Sequence, residues 1–192
     1  MMDSYELLSD KIEAEDAPTK YGLEKGKYGV VTLHRPSNLD EPEILKILMD
    51  ELVQSSKKIK LIFVVHPRTK NSLEANNIWN DLQKHENLIL IEPISYVPFM
   101  SLVKSAKLII TDSGEIQEET TYLDIPCLTL RENTERPITI TEGTNKLIEP
   151  EQLSGYVDQI LEGDWVHGKK PENWDGKTAL RITDIIFDLL KK

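Results

Sequence analysis

Six short apolar runs, each ending at a polar cluster and separated from the next by an amphipathic or polar stretch, constrain this sequence more than any other feature. They are Tyr28 to Leu33, Lys60 to Val65, Asn87 to Ile91, Lys107 to Thr111, Pro126 to Leu130 and Lys146 to Ile148. Within each run apolar residues are nearly continuous instead of alternating with polar ones. That is the pattern of strands buried on both faces. Between the runs, residues 41–56, 69–84, 97–105, 114–123 and 151–161 are predicted to be helical, with further helices over 3–15 and 178–190. The 41–56 segment shows the reason: Ile44, Leu45, Leu48 and Leu52 recur at helical spacing, Asp40 is placed as an N-cap, and Pro42 suits a first turn. Pro98 suits the first turn of the 97–105 helix in the same way. Strand and helix alternating in this way predict an α/β fold, a Rossmann-like parallel sheet of about six strands with helices on both faces. The stretch 163–176 reads as a loop. No internal repeat or low-complexity segment interrupts the pattern, and residues 1–192 read as one domain.

Composition narrows the function classes. A formal net charge of -10 repels phosphate backbones and argues against a general nucleic-acid binder. It leaves open one phosphorylated small molecule, because a pocket can be locally positive or lined with backbone N–H groups. The single cysteine, Cys127, lies in the apolar run Ile125-Pro126-Cys127-Leu128 and is expected to be a buried small hydrophobe, not a nucleophile. Met1 to Glu6 has neither the basic nor the apolar region of a signal peptide. No stretch approaches the roughly 20 apolar residues of a membrane span. A cytoplasmic protein without membrane contact is the expectation.

In open parallel sheets ligands bind beyond the carboxyl ends of the strands, and the unusual polar clusters of this sequence all follow strands. After the first comes Thr32-Leu33-His34-Arg35-Pro36-Ser37-Asn38, which can place a cation and a hydrogen-bond donor over a phosphate. After the second comes His66-Pro67-Arg68-Thr69, with His66 at the strand end. After the fourth comes Thr111-Asp112-Ser113-Gly114-Glu115-Ile116-Gln117-Glu118-Glu119, where a strand turns into a helix. A helix start offers unpaired N–H groups and a dipole to an anion, and Glu119, farther along, can accept from ribose hydroxyls. Asp112 or Ser113 can equally serve as an N-cap, a role compatible with phosphate binding. After the fifth comes Arg131-Glu132-Asn133-Thr134-Glu135-Arg136-Pro137. Its two arginines suit anion recognition, and equally suit surface ion pairs of little energetic worth.

Taken together these clusters resemble one family in order and spacing. TLHRPSN at Thr32 to Asn38 is similar to a His-Arg-x-x-Asn loop, and His66-Pro67 to a second-strand histidine. ISYVPFMSLVKSAKLIITDSG at Ile94 to Gly114 is similar to a Tyr-x-x-Phe helix leading into an Asp-Ser-Gly-Gly turn. IQEE at Ile116 to Glu119 and PCLTLRENTERPITITEGTNKLI at Pro126 to Ile148 resemble the signature Arg-x-x-Thr-Glu-Arg-Pro followed by Gly-Thr-Asn. WDGKTALRITDII at Trp174 to Ile186 resembles a closing helix. The family is that of the non-hydrolysing UDP-N-acetylglucosamine 2-epimerases, and the match is to its C-terminal, UDP-binding half.

The resemblance implies one half of a glycosyltransferase-B-type fold and a set of roles. Ser113 and Gly114 would bind the UDP phosphates, Glu119 the ribose, and the backbone around Phe99 the uracil. Arg35 would serve the UDP site and Arg131 would lie near the diphosphate. His34 would stand at the active cleft and stabilise departing UDP. His66 would correspond to a histidine tied, in bacterial members, to a regulatory UDP-N-acetylglucosamine site. Asn38, Asp112, Gln117, Glu118, Thr134, Glu135 and Arg136 belong to the signature without an implied role. No cofactor or metal is implied. The implied reaction interconverts UDP-N-acetylglucosamine and its manno epimer by elimination and re-addition of UDP. The IQEE and TERP blocks speak against a hydrolysing epimerase, and against the half of another glycosyltransferase. Glu115 stands where the family turn has its second glycine, so weakened phosphate binding is expected, relieved in Glu115→Gly. The expected N-terminal catalytic half has no counterpart in this sequence, which fits an isolated domain, a split gene product or a degenerate fragment. The implied partners are UDP or UDP-N-acetylglucosamine, an N-terminal half on another chain, and a second copy in a homodimer. A UDP-sugar-binding module without catalysis is the alternative.

Overall fold

The computed structural model describes residues 2–165 and 167–191. It holds one six-stranded, wholly parallel sheet. Its strands are β1 (Tyr28–Thr32), β2 (Lys60–Val64), β3 (Leu88–Ile91), β4 (Leu108–Thr111), β5 (Cys127–Thr129) and β6 (Asn145–Leu147), each within one or two residues of its predicted run. The helices are α1 (Met2–Ala14), α2 (Ala17–Lys20), α3 (Pro36–Leu39), α4 (Pro42–Ser56), α5 (Pro67–Ala75), α6 (Trp79–Leu82), α7 (Tyr96–Ser105), α8 (Gly114–Leu123), α9 (Ile138–Thr141), α10 (Leu153–Glu162) and α11 (Thr178–Leu190).

Successive side chains of a strand point to opposite faces, and two separate cores follow from that alternation. Val31, Phe63, Ile110 and Leu128 pack on one face against Leu45, Leu48 and Leu52 of α4 and Val157 and Ile160 of α10. Val30, Ile62, Ile109 and Cys127 pack on the other against Tyr5 and Ile12 of α1 and Met100, Leu102 and Val103 of α7. Cys127 is fully buried, and burial pushes its thiol up to about 12, so it is the inert core residue expected.

Two sequence expectations are corrected. The single helix expected over 69–84 is broken into α5 and α6, because Asn76 ends α5 and Asn77 takes a left-handed φ of 59°. Asparagine tolerates that region far better than most residues. The four-residue helices α2, α3 and α9 were not anticipated, being too short for any periodic signal. Among the described residues no helix is long and apolar enough to cross a membrane.

Candidate functional site

The strand order β3-β2-β1-β4-β5-β6 sets the location of the site. The chain leaves β1 toward β2 and β3, then returns to lay β4 on the other side of β1. The loops after β1 and β4 therefore diverge and open a crevice at the carboxyl edge, where ligands of such sheets bind. The His34 loop forms one wall, and the Asp112-Ser113-Gly114 turn forms the other.

Asp112 ties the two walls together. Its side chain is fully buried. One carboxylate oxygen accepts from the backbone N–H of Arg35 at 2.8 Å and from Asn38 Nδ2 at 3.1 Å; the backbone N–H of His34 lies 3.0 Å from that oxygen and 3.1 Å from the other. The ring Nδ1 of His34 lies 3.0 Å from Asp112 Oδ1. Burial by itself raises the pKa of this carboxyl, but the bonds from His34, Arg35 and Asn38 outweigh it and hold the group below its usual value. A carboxylate facing Nδ1 keeps the proton there and leaves Nε2 as the free nitrogen. Asn38 also donates to the carbonyl of Leu130 at 3.1 Å, which fastens the end of β5 to the same cluster.

The first turn of α8 opens into this crevice. Gly114, Glu115 and Ile116 carry N–H groups that precede the first intrahelical bond, Gln117 N–H to Ser113 O at 3.3 Å. Ser113, one of the two expected residues, stands at the N-cap position of α8 but makes no capping bond with its side chain, and the Asp112 carboxylate is spent on the His34 loop. Arg131 and Arg35 bring positive charge from the loops after β5 and β1. Both pair with Glu135, at 2.8 Å and 3.6 Å. Arg131 Nη1 and Arg35 Nε are buried and have no protein acceptor among the described residues. Glu115 lies in the same first turn, with its side chain exposed.

Glu119 lies farther along α8 and is buried, with 2% of its surface exposed. Tyr96 of α7 donates its hydroxyl to Glu119 at 2.9 Å. Burial pushes the Glu119 carboxyl up to about 7, while the Tyr96 bond acts in the opposite direction. Folding therefore holds this group protonated to a higher pH than in the unfolded chain, and ionising it costs stability as pH rises. Its stabilising contribution is complete below the unfolded pKa of roughly 4.3 and is lost as pH rises to about 7. Glu119→Gln is expected to leave the melting temperature near pH 4 unchanged and to stabilise the chain by about 3 kcal/mol above pH 7. Thermal melts at both pH values check this, and an equal shift at both would contradict it.

Much of the remaining signature is framework. Gln117 accepts from Thr134 at 2.7 Å, and Thr134 in turn accepts the N–H of Arg136 at 3.0 Å. Arg136 Nε pairs with Glu118 at 2.5 Å as an ion contact not aligned for a hydrogen bond. Asn145 donates to Gln117 O at 3.0 Å and to Thr121 at 3.0 Å. At Gly143 a side chain would meet Thr121 Oγ1 at 2.3 Å and Thr139 O at 2.5 Å, so only glycine fits. The IQEE, TERP and Gly-Thr-Asn blocks thus form one interlocked unit around α8.

His66 caps α5 by accepting the N–H of Arg68 at 3.2 Å, and its ring centroid lies 5.8 Å from that of His34. The structure thereby brings His34, Arg35, His66, Asp112, Ser113, Gly114 and Arg131 to one edge of the sheet. Phe99 sits apart, half-buried against the second core, with its N–H donated to Ser95. From the same helix Tyr96 is the residue that reaches Glu119. Sequence reasoning did not single it out, although the Tyr-x-x-Phe spacing puts both rings on one helix face.

Larger concavities lie elsewhere. One of about 770 Å³ runs along β6 and includes Thr141, Lys146 and Trp165, and one of about 430 Å³ lies between α4 and α6. A hollow of about 140 Å³ beside Asn38 and Arg131 lies next to the strand-end crevice but includes neither His34 nor the start of α8. Donors and charges mark the site better than volume does. Among the described residues no three His, Cys, Asp or Glu side chains form a metal-ligating cluster.

Comparison with known proteins gives a consistent result. Residues 1–187 match the family described as UDP-N-acetylglucosamine 2-epimerase. A UDP-N-acetylglucosamine 2-epimerase of Methanococcus maripaludis is 41% identical over 165 residues, which is 84% of this chain and 44% of that protein. The crystal structure of the Methanocaldococcus jannaschii UDP-GlcNAc 2-epimerase in complex with UDP-GlcNAc and UDP is similar with a TM-score of 0.80 and 32% identity, covering 96% of this chain and 52% of that one. The Neisseria meningitidis UDP-GlcNAc 2-epimerase bound to UDP-GlcNAc also gives 0.80, at 27% identity, covering 100% of this chain and 53% of that one. The chain spans about half the length of the relatives it matches.

Proposed function

This chain belongs to the UDP-N-acetylglucosamine 2-epimerase family, and from that premise we propose that it is the UDP-binding domain of such an enzyme. The observation that carries the reading is the convergence at the β1/β4 crevice of an open α8 N-terminus with the unspent donors of Arg35 and Arg131. In this reading Ser113, Gly114 and the following N–H groups hold the diphosphate, with Arg35 and Arg131 neutralising its charge. Glu119 accepts from the ribose hydroxyls, with Tyr96 fixing its carboxylate. The uracil lies toward the start of α7, near Phe99. His34, its ring oriented at Nδ1 by Asp112, turns Nε2 toward the leaving diphosphate, to which it donates in the imidazolium form, and His66 lies beside it. Donors fixed in advance where negative charge grows lower the barrier to releasing UDP.

The other wall of the cleft, and the groups that move protons at the sugar, belong in this reading to a second domain. The chain itself forms a single nucleotide-sugar-binding domain. α11 offers a surface for docking. Its apolar residues Ile182, Ile185, Ile186, Phe187, Leu189 and Leu190 are between 51% and 81% exposed. A second domain covers this face, or a second copy does; concentration-dependent light scattering reads the latter. In this reading the chain acts in the cytoplasm.

Calorimetric titration tests the reading. UDP is expected to bind saturably, and Glu119→Ala to weaken it about tenfold through lost ribose bonds. Glu115→Gly is expected to tighten binding modestly, since an exposed carboxylate near the surface repels a phosphate only weakly. Equal affinity of the parent and Glu119→Ala would remove the ribose assignment.

A further inference from the structure

The three features that recommend the crevice to a diphosphate all converge on one carboxylate of the chain itself. Glu135 lies 2.8 Å from Arg131 and 3.6 Å from Arg35. It also lies over the start of α8, where a Cβ placed on Gly114 would stand 3.2 Å from Glu135 Oε1. Arg131 belongs to the same loop as Glu135, four residues before it, whereas Arg35 comes from the loop after β1, so the cluster joins two loops that the sequence keeps far apart. Arg131 is largely buried, with 14% of its side chain exposed. We propose that Glu135 is an internal anion holding the diphosphate position, and that a phosphorylated ligand enters by displacing it. The proposal rests on the reading of the crevice as a UDP site and adds its control element.

The backbone around Glu135 is built for such an exchange. Thr134 is bonded to Gln117, and Arg136 is paired with Glu118, so the residues on both sides are pinned to α8. The Glu135 side chain between them is about half exposed, so solvent lies on the side away from the arginines. The Arg131 guanidinium beside it holds its carboxyl down at about 2, so it stays ionised at every working pH. Displacement trades one negative charge for the larger charge of a diphosphate. A singly charged anion gains nothing from that trade, so the carboxylate filters the crevice for multiply charged phosphates.

Titrations of the full chain with UDP, inorganic pyrophosphate and uridine test this. Glu135→Gln is expected to tighten UDP and pyrophosphate by about tenfold and to leave uridine unchanged. Glu135→Ala should act in the same direction, which guards against a peculiarity of the amide. Glu132→Gln removes a neighbouring exposed charge and should change UDP affinity less than about twofold, separating a specific exchange from general charge. Unchanged or weaker UDP binding by Glu135→Gln, with the parent binding UDP normally, overturns this proposal alone. It would show that Glu135 only positions the arginines. Failure of both parent and variant to bind UDP or pyrophosphate overturns the proposal together with the reading beneath it.

Discussion

Asp112→Ala is expected to cost about 3–5 kcal/mol of folding stability and to abolish UDP binding. The substitution removes the acceptor for the N–H groups of His34 and Arg35, for Asn38 Nδ2 and for the His34 ring. Each donor left buried without a partner costs about 1–3 kcal/mol, and removing one side of a buried charged network falls in the same total range. Domains of this size hold roughly 5–15 kcal/mol in all, so the variant sits near its limit. The loss extends to function, because the same bonds set the His34 loop against α8 and fix the tautomer of His34. Asp112→Asn keeps the shape but presents an amide to donors, and should lose about half as much. Asp112 has a lowered pKa in the fold, so its contribution is present above the unfolded value of roughly 3.9 and disappears as pH falls below it. Urea unfolding at pH 7 measures the cost. A loss under about 1 kcal/mol would show that water takes over the bonds and that the walls are held by something else.

The second large effect concerns turnover. The purified chain is expected to show no conversion of UDP-N-acetylglucosamine to its manno epimer, a deficit of at least about 10⁶-fold against a whole enzyme. The crevice gathers donors and cations, which suit a leaving diphosphate. Three of its carboxylates are committed: Asp112 to four donors, Glu119 to Tyr96 and Glu135 to two arginines. Inverting a carbon needs acid and base groups placed at the sugar as well, and the relatives this chain matches are about twice its length. Adding a separately produced N-terminal half should restore conversion. Product formed by the chain alone, followed by NMR of the sugar signals, would overturn the division of labour.

The sheet was legible in the sequence because strands buried on both faces leave apolar runs too continuous to mistake, and the long helices between them carry strong periodicity. The break at Asn77 was not, since a left-handed residue inside a polar stretch leaves the pattern on either side intact. At the site, position was legible and direction was not. Spacing put Arg131, Thr134, Glu135 and Arg136 into one loop. It could not tell that Thr134 and Arg136 turn to α8 while Arg131 and Glu135 face each other. Asp112 carried a capping expectation from its place before a helix. Its real partners lie 74 to 78 residues away in the chain, beyond any local rule. The sequence names Tyr96 within the Tyr-x-x-Phe helix but gives it no role for the same reason, its partner Glu119 being 23 residues away on another helix.

In the proposed reading the crevice between β1 and β4 is where this chain holds UDP. Titrating UDP into isotope-labelled protein and following the backbone amide signals checks this residue by residue. The largest changes are expected at His34, Arg35, Gly114 to Gln117 and Arg131, with a smaller response near Tyr96. Changes centred instead on Thr141 to Lys146 and Trp165, around the larger concavity at β6, would contradict it.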